Sequence, residues 1–132
     1  MNLATRVLIV DDEERFRTTL AKILKAEGLD ATVAGDAREG LDALDAAEFD
    51  VVLLDVKMPG MDGIEALKRI KNMGDPGCNV EVIILTGHAS VDYAVEIMKY
   101  GAFDFLLKPC PKDELLVKIS LAHERKIERC GG

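Results

Sequence analysis

Short apolar runs alternate along this chain with stretches whose apolar residues recur at helical spacing. Arg6–Val10, β-branched and apolar after its first residue, predicts a first strand. Phe16, Leu20, Ile23 and Leu24 then fall at i, i+4, i+7 and i+8, one face of a first helix. Gly28 follows, where a helix end favours a left-handed residue. Asp30–Ala34 predicts a weaker second strand. Asp36 with Glu39 three positions on reads as a variant capping box, opening a second helix whose buried stripe is Ala37, Leu41 and Leu44.

Val51–Leu54 is apolar at every position, so the third strand is expected to be buried on both faces. Met58–Gly63 predicts a Pro- and Gly-rich loop, and Ile64, Leu67 and Ile70 face inward from a third helix. Asn72–Asn79 reads as a connector and Val82–Leu85 as the fourth strand. Ser90 is placed to cap a fourth helix with the stripe Val91, Ala94, Val95 and Met98, which Gly101 ends. Phe103–Leu107 is the fifth strand. Pro111 suits the first turn of a fifth helix, from which Leu115, Ile119 and Ala122 face the core. Five strand–helix units in strict alternation predict an α/β fold with a parallel sheet covered on both faces.

Composition narrows the function classes. Hydrophobic residues are 48% of the 132 and there are only 4 Pro, which excludes collagen-like and disordered chains and suits one core. No apolar run approaches the ~20 residues of a spanning helix. Seventeen basic against 24 acidic residues give a net charge of −7, which argues against direct contact with DNA or an anionic membrane. A cation or a cationic partner fits better. Cys78, Cys110 and Cys130 are far apart and odd in number, so neither a disulfide framework nor a CxxC metal site is expected. The opening Met-Asn-Leu-Ala-Thr-Arg is not leader-like, and a reducing cytoplasm is expected.

Ligands of such sheets bind at the carboxyl ends of the strands, so the residues there carry the chemistry. Strand one runs into Asp11 and Asp12, strand three into Asp55, strand four into Thr86 and strand five into Lys108. Each has an ordinary explanation alone: the acid pair as a helix cap, Asp55 as a turn acid, Thr86 as a strand-end residue, Lys108 as a solvated lysine. Together they converge on one edge of the sheet. Three carboxylates in one cleft repel one another, and a divalent cation relieves the repulsion. Oxygen ligands without a Cys or His set favour Mg²⁺ over Zn²⁺. His88 and His123 are assigned to no metal, His88 as a loop residue and His123 as a surface residue; Cys110 reads as a passive loop thiol.

These residues carry a family resemblance. Val7-Leu-Ile-Val-Asp-Asp12, Val52-Leu-Leu-Asp-Val-Lys-Met-Pro-Gly-Met-Asp-Gly63, Ile84-Leu-Thr-Gly-His88 and Gly101-Ala-Phe-Asp-Phe-Leu-Leu-Lys-Pro109 resemble the receiver domain of two-component response regulators, the chemotaxis-regulator-like family. The separations, 31 residues from Asp55 to Thr86 and 22 from Thr86 to Lys108, also resemble that family. The resemblance implies a flavodoxin-like five-stranded parallel sheet of order 2-1-3-4-5, with residues 1–129 as a single receiver domain and 130–132 as a short tail. It implies that Asp55 accepts a phosphoryl group from the phosphohistidine of a sensor histidine kinase or phosphotransfer protein. It implies Mg²⁺ held by Asp11, Asp12, Asp55 and the backbone carbonyl of Lys57. Lys108 would pair with Asp55 and then with the phosphoryl group, and Thr86 and Phe105 would form the switch. Pro109 would follow a cis peptide bond, and Gly63 would start the third helix for backbone reasons.

The output surface implied is helix four, strand five and helix five, a possible homodimer face on which Asp104 and Arg125 would pair. The segments at Gly87 and Gly101 look like receivers of the nitrogen-regulator type, which often precede an ATPase and a DNA-binding domain. The molecule would catalyse its own phosphorylation and would not be a turnover enzyme. Other readings remain at this stage. A phosphate-independent binding module would not need Asp55, Asp12, Thr86 and Lys108. A haloacid-dehalogenase-like phosphatase wants Asp-x-Asp after strand one, and a flavodoxin wants a phosphate-cradling loop there; Asp11-Asp12-Glu13-Glu14 is neither.

Overall fold

A computed structural model describes residues 4–58, 61–74, 79–87 and 91–130. The strands are β1 (Arg6–Val10), β2 (Asp30–Ala34), β3 (Val51–Asp55), β4 (Lys57–Met58), β5 (Met61–Asp62), β6 (Glu81–Thr86) and β7 (Asp104–Leu107). The helices are α1 (Glu14–Ala26), α2 (Ala37–Ala46), α3 (Gly63–Lys71), α4 (Val91–Lys99) and α5 (Lys112–Arg129). Five strands form a parallel sheet of order β2-β1-β3-β6-β7. This is the expected 2-1-3-4-5 arrangement, counting sheet strands alone.

The central strands are apolar throughout because both faces are covered, and their alternation sorts residues into two cores. Leu8, Val10, Val52, Leu54, Val82 and Ile84 pack with Ala37, Leu67, Ile70 and Ile97, the layer of α2, α3 and α4. Val7, Ile9, Val51, Leu53, Ile83 and Leu85 pack with Leu20, Leu24, Leu115, Ile119 and Ala122, the layer of α1 and α5. The third layer is thus the sheet itself.

Several local expectations are refined. Met58–Gly63 is not all loop: β4 and β5 pair as an antiparallel ribbon, Lys57 with Asp62 and Met58 with Met61. The side chain of Asp36 accepts from the Glu39 N–H at 2.8 Å, but the Glu39 carboxylate returns to the Gly35 N–H at 2.5 Å, one residue before the cap. Leu41 and Leu44 are only partly buried, and Gly40 lies against Val10 instead. Pro111 is the N-cap of α5 rather than its first helical residue. The stripe on α4 is displaced: Ile97 is buried and Tyr93 and Tyr100 are partly buried, whereas Val95 and Met98 are exposed. Gly28 and Gly101 have positive φ at the ends of α1 and α4, as their positions required.

The N-terminal edge of the sheet is fastened to α5. His123, Lys126 and Arg129 recur every three residues on its last turns. His123 Nδ1 is hydrogen-bonded to the Thr5 hydroxyl at 3.0 Å, so it is half-buried rather than a surface residue. Lys126 donates to the Phe49 carbonyl at 2.8 Å and to Asp50 at 3.3 Å. Arg129 donates to the Asn79 carbonyl and to Glu81, at 2.9 and 2.5 Å. This last contact brings the end of α5 beside the segment that precedes β6, and Cys130 is disulfide-bonded. The expectation against a disulfide is corrected there, since the bond depends on a tertiary approach that cysteine spacing does not reveal. Cys110 is free, and burial pushes its thiol above its ordinary value, with Glu114 adding to the effect. The expectations for Cys78, His88 and Ser90, and for the side chains of Met58, Met61 and Val91, fall outside the described residues.

Candidate functional site

The carboxyl edge of the sheet collects the predicted polar residues. Carboxylate oxygens of Asp11, Asp12 and Asp55 all lie within 4.8 Å of one another. Asp11 follows β1 and is 1% exposed, Asp55 closes β3 at 5%, and Asp12 is exposed. Asp11 is held from two sides: its Oδ1 accepts the Glu13 N–H at 2.9 Å and its Oδ2 meets the Lys108 ammonium at 2.6 Å. Arg17 donates to the Asp11 carbonyl at 3.2 Å, tying the first turn of α1 to the same residue.

Lys108 enters from the end of β7, next to the end of β6. Its N–H donates to the Thr86 carbonyl at 2.8 Å, and Thr86 is fully buried at the last position of β6. The ammonium lies 2.6 Å from Asp11 and 3.6 Å from Asp55. The expected pairing with Asp55 is therefore present, but the shorter contact is to Asp11. The peptide bond to Pro109 is cis.

Two residues beyond Asp55, Lys57 begins the β4–β5 ribbon. Gly63 is buried at the start of α3, but not for a special backbone conformation. A Cβ there would come within 2.5 Å of the Val56 side chain, so the requirement is close approach. Phe105 is partly buried on the α2–α3–α4 side, with Ile84 as its register partner. Asp104, expected to face a second copy, is paired with Lys118 of its own chain, and Arg125 lies over the Phe103 ring at 5.7 Å.

Sequence reading missed two neighbours of the site. Phe16, assigned only to the core stripe of helix one, presents its ring to the Lys108 ammonium at 4.1 Å. Arg17 reaches Asp11 through the main chain. An aromatic and a basic residue within a turn of the acid pair was the available signal.

Chemically the site gathers three carboxylates, with the Lys108 ammonium against Asp11 and Asp55. All the carboxylate donors are oxygen, which suits a hard divalent cation such as Mg²⁺. The fit is one of charge and donor type together.

Known proteins bear on the arrangement. The model of the response regulator receiver domain family matches residues 7–120. The transcriptional regulatory protein FixJ of Bradyrhizobium diazoefficiens is 42% identical over 122 residues, covering 92% of this chain and 58% of FixJ. The DNA-binding transcriptional regulator NtrC of Klebsiella pneumoniae is 41% identical over 114 residues, covering 86% of this chain and 24% of NtrC. The chain thus spans only part of the length of these relatives. A CheY-like receiver domain from Methanospirillum hungatei matches with a TM-score of 0.87 at 32% identity, over 96% of this chain and 98% of that one. The beryllofluoride-activated receiver domain dimer of NtrC4 matches at 0.84 and 40% identity, over 92% and 98%. With its strand-end motifs now seated on one edge of a sheet of this order, the chain belongs to the receiver domain family of two-component response regulators.

Proposed function

We propose that this chain is a phosphorylation-dependent signalling switch that takes a phosphoryl group onto Asp55 from the phosphohistidine of a sensor kinase or phosphotransfer protein. The observation that carries this reading is the acidic cluster itself: carboxylate oxygens of Asp11, Asp12 and Asp55 within 4.8 Å of one another, with Lys108 set between Asp11 and Asp55. Those carboxylates, with the main-chain carbonyl of Lys57, would hold Mg²⁺. When bound, the ion neutralises charge on the phosphoryl oxygens.

Asp55 supplies the nucleophile. One of its oxygens bonds to phosphorus while the N–P bond of the donor breaks, and the leaving imidazole keeps the electron pair and takes up a proton. Lys108, already 3.6 Å from Asp55, passes to a phosphoryl oxygen as the carboxylate becomes an acyl phosphate. A compact ammonium suits that point-charge role. The Thr86 hydroxyl donates to the phosphoryl group, and Phe105 fills the space Thr86 leaves. Having no hydroxyl, Phe105 transmits the change through packing alone. The protein is both catalyst and substrate of this step, so it is not a turnover enzyme.

The altered surface is α4, β7 and α5, which expose Val95, Met98, Leu107, Val117 and Leu121. Apolar side chains on these elements suit a second copy of the chain or an output domain. The net charge of −7 argues against DNA contact by this segment. No described helix is long and apolar enough to cross a membrane. We place the switch in the cytoplasm, where the bond at Cys130 would form only under oxidising conditions.

Intact mass after incubation with acetyl phosphate tests the reading. The expected result is a Mg²⁺-dependent gain of one phosphoryl group that Asp55→Asn abolishes. No gain in the wild type, with a kinase donor also failing, would point to a phosphate-independent binding module. A gain persisting in Asp55→Asn would move the acceptor elsewhere.

A further inference from the structure

Among the described residues the Lys108 ammonium has neighbours of two kinds: the carboxylates of Asp11 at 2.6 Å and Asp55 at 3.6 Å, and the face of the Phe16 ring at 4.1 Å. Of these, Asp11 and Asp55 are the groups a divalent cation would draw on. Phe16 is not. Its ring is half-buried on the first turn of α1, packed against the core that α1 and α5 share. The start of α1 is fixed to Asp11 through the Glu13 N–H and the Arg17 guanidinium, so the ring and the carboxylate are held as one unit. The negative face of an aromatic ring attracts an ammonium, more strongly where water is partly excluded. The Lys108 side chain is 17% exposed, which meets that condition.

We propose that Phe16 is a positioning residue for Lys108. The ring holds the ammonium beside Asp55 when Asp11 turns to another cation. An aliphatic residue of similar size would fill the same core volume and provide no such hold. The proposal rests on the phosphoryl-transfer reading above, and it concerns how Lys108 is kept available rather than which residue accepts.

Phe16→Leu and Phe16→Met remove the ring and keep an apolar side chain, while Phe16→Tyr keeps the ring. Two measurements separate positioning from packing. The first is the ¹H–¹³C spectrum of the metal-free protein, which reads ring-current shifts at the Lys108 ε-methylene without any catalysis. The expected result is an upfield shift in the wild type and Phe16→Tyr that is absent in the two ringless variants. The second is the initial rate of phosphorylation by acetyl phosphate at saturating Mg²⁺, alongside Mg²⁺ affinity by calorimetry. The ringless variants are expected to slow phosphorylation by about three- to tenfold, the scale of one partly desolvated cation–π contact, without weakening Mg²⁺ binding. Phe16→Tyr should restore the rate.

A wild-type spectrum without the ring-current shift overturns the proposal. So does a ringless variant that phosphorylates at the wild-type rate, or one that loses rate and Mg²⁺ affinity together. A wild type that gains no phosphoryl group from acetyl phosphate or from a kinase donor overturns the functional reading and this proposal with it. A wild type that does gain one, beside equally fast ringless variants, overturns this proposal alone.

Discussion

At the N-terminal edge of the sheet a buried acid sits between two cations; at the carboxyl edge three acids sit against one another. Asp50 faces Lys126 at 3.3 Å and His123 at 3.7 Å, and accepts the Arg6 N–H at 2.9 Å. Glu81, 4% exposed, lies between Arg129 at 2.5 Å and Lys71 at 3.5 Å. Burial pushes the Lys71 ammonium below its ordinary value, with Glu81 pulling it back. At the carboxyl edge Asp11, Asp12 and Asp55 lie against one another, with Lys108 set between Asp11 and Asp55. Acids of one chemical kind therefore do different work according to whether they face basic side chains or one another. Matched acids fasten α5 to the sheet. Acids gathered in one cluster repel one another, and a divalent cation would relieve that repulsion.

That contrast can be broken by exchanging charge at each edge. Glu81→Gln leaves Arg129 and Lys71 facing a neutral amide. It should destabilise the fold by about 3 kcal/mol in urea titrations, because removing one member of a buried pair strands the others. An effect below about 1 kcal/mol would mean the N-terminal edge is not held by charge.

Asp12→Asn at the other edge should change metal-free stability by less than about 0.5 kcal/mol, since the residue is exposed and among like charges. The effect should appear only on adding Mg²⁺. Wild-type stability should rise by about 2.7 kcal/mol at a hundredfold excess over the dissociation constant, and the variant should gain much less under the same conditions. Equal gains in a thermal-shift titration would count against Asp12 as a ligand.

The smallest effect concerns the Asp104–Lys118 pair, a matched pair away from both edges. The hydrogen bond and charge of Asp104 raise the Lys118 ammonium above its ordinary 10.5. A raised basic group adds stability that is fully present below pH ~10.5 and is lost as pH rises through the folded value. Wild type and Lys118→Met should therefore differ by less than about 1 kcal/mol at neutral pH and converge in alkali. A difference that persists in strong alkali would assign the effect to packing of the lysine stem.

The sequence disclosed the parallel sheet and its strand ends because apolar runs and their terminal polar residues are local patterns. It disclosed α4 less well. Val91, Ala94, Val95 and Met98 fit helical periodicity, and so do Tyr93, Ile97 and Tyr100. Periodicity alone does not say which apolar face meets the sheet, and the structure turns Ile97 inward. The β4–β5 ribbon has two residues a side, too short to show a period. The closer pairing of Lys108 with Asp11, the Phe16 ring beneath it and the bond at Cys130 all depend on contacts between distant elements. Spacing along the chain places Phe16 within a turn of the acid pair, but it does not show the contacts themselves.

Position 63 acts as a clearance gauge. Between the end of β3 and the start of α3 there is room for a hydrogen and none for a methyl group, since a Cβ would meet the Val56 side chain at 2.5 Å and its Cα at 2.6 Å. Val56 sits between Asp55 and Lys57, so a methyl wedge there would displace the backbone on both sides of it at once. The spacing of the acidic cluster is thus set partly by an atom that is missing, and alanine, the smallest change available, would reset it.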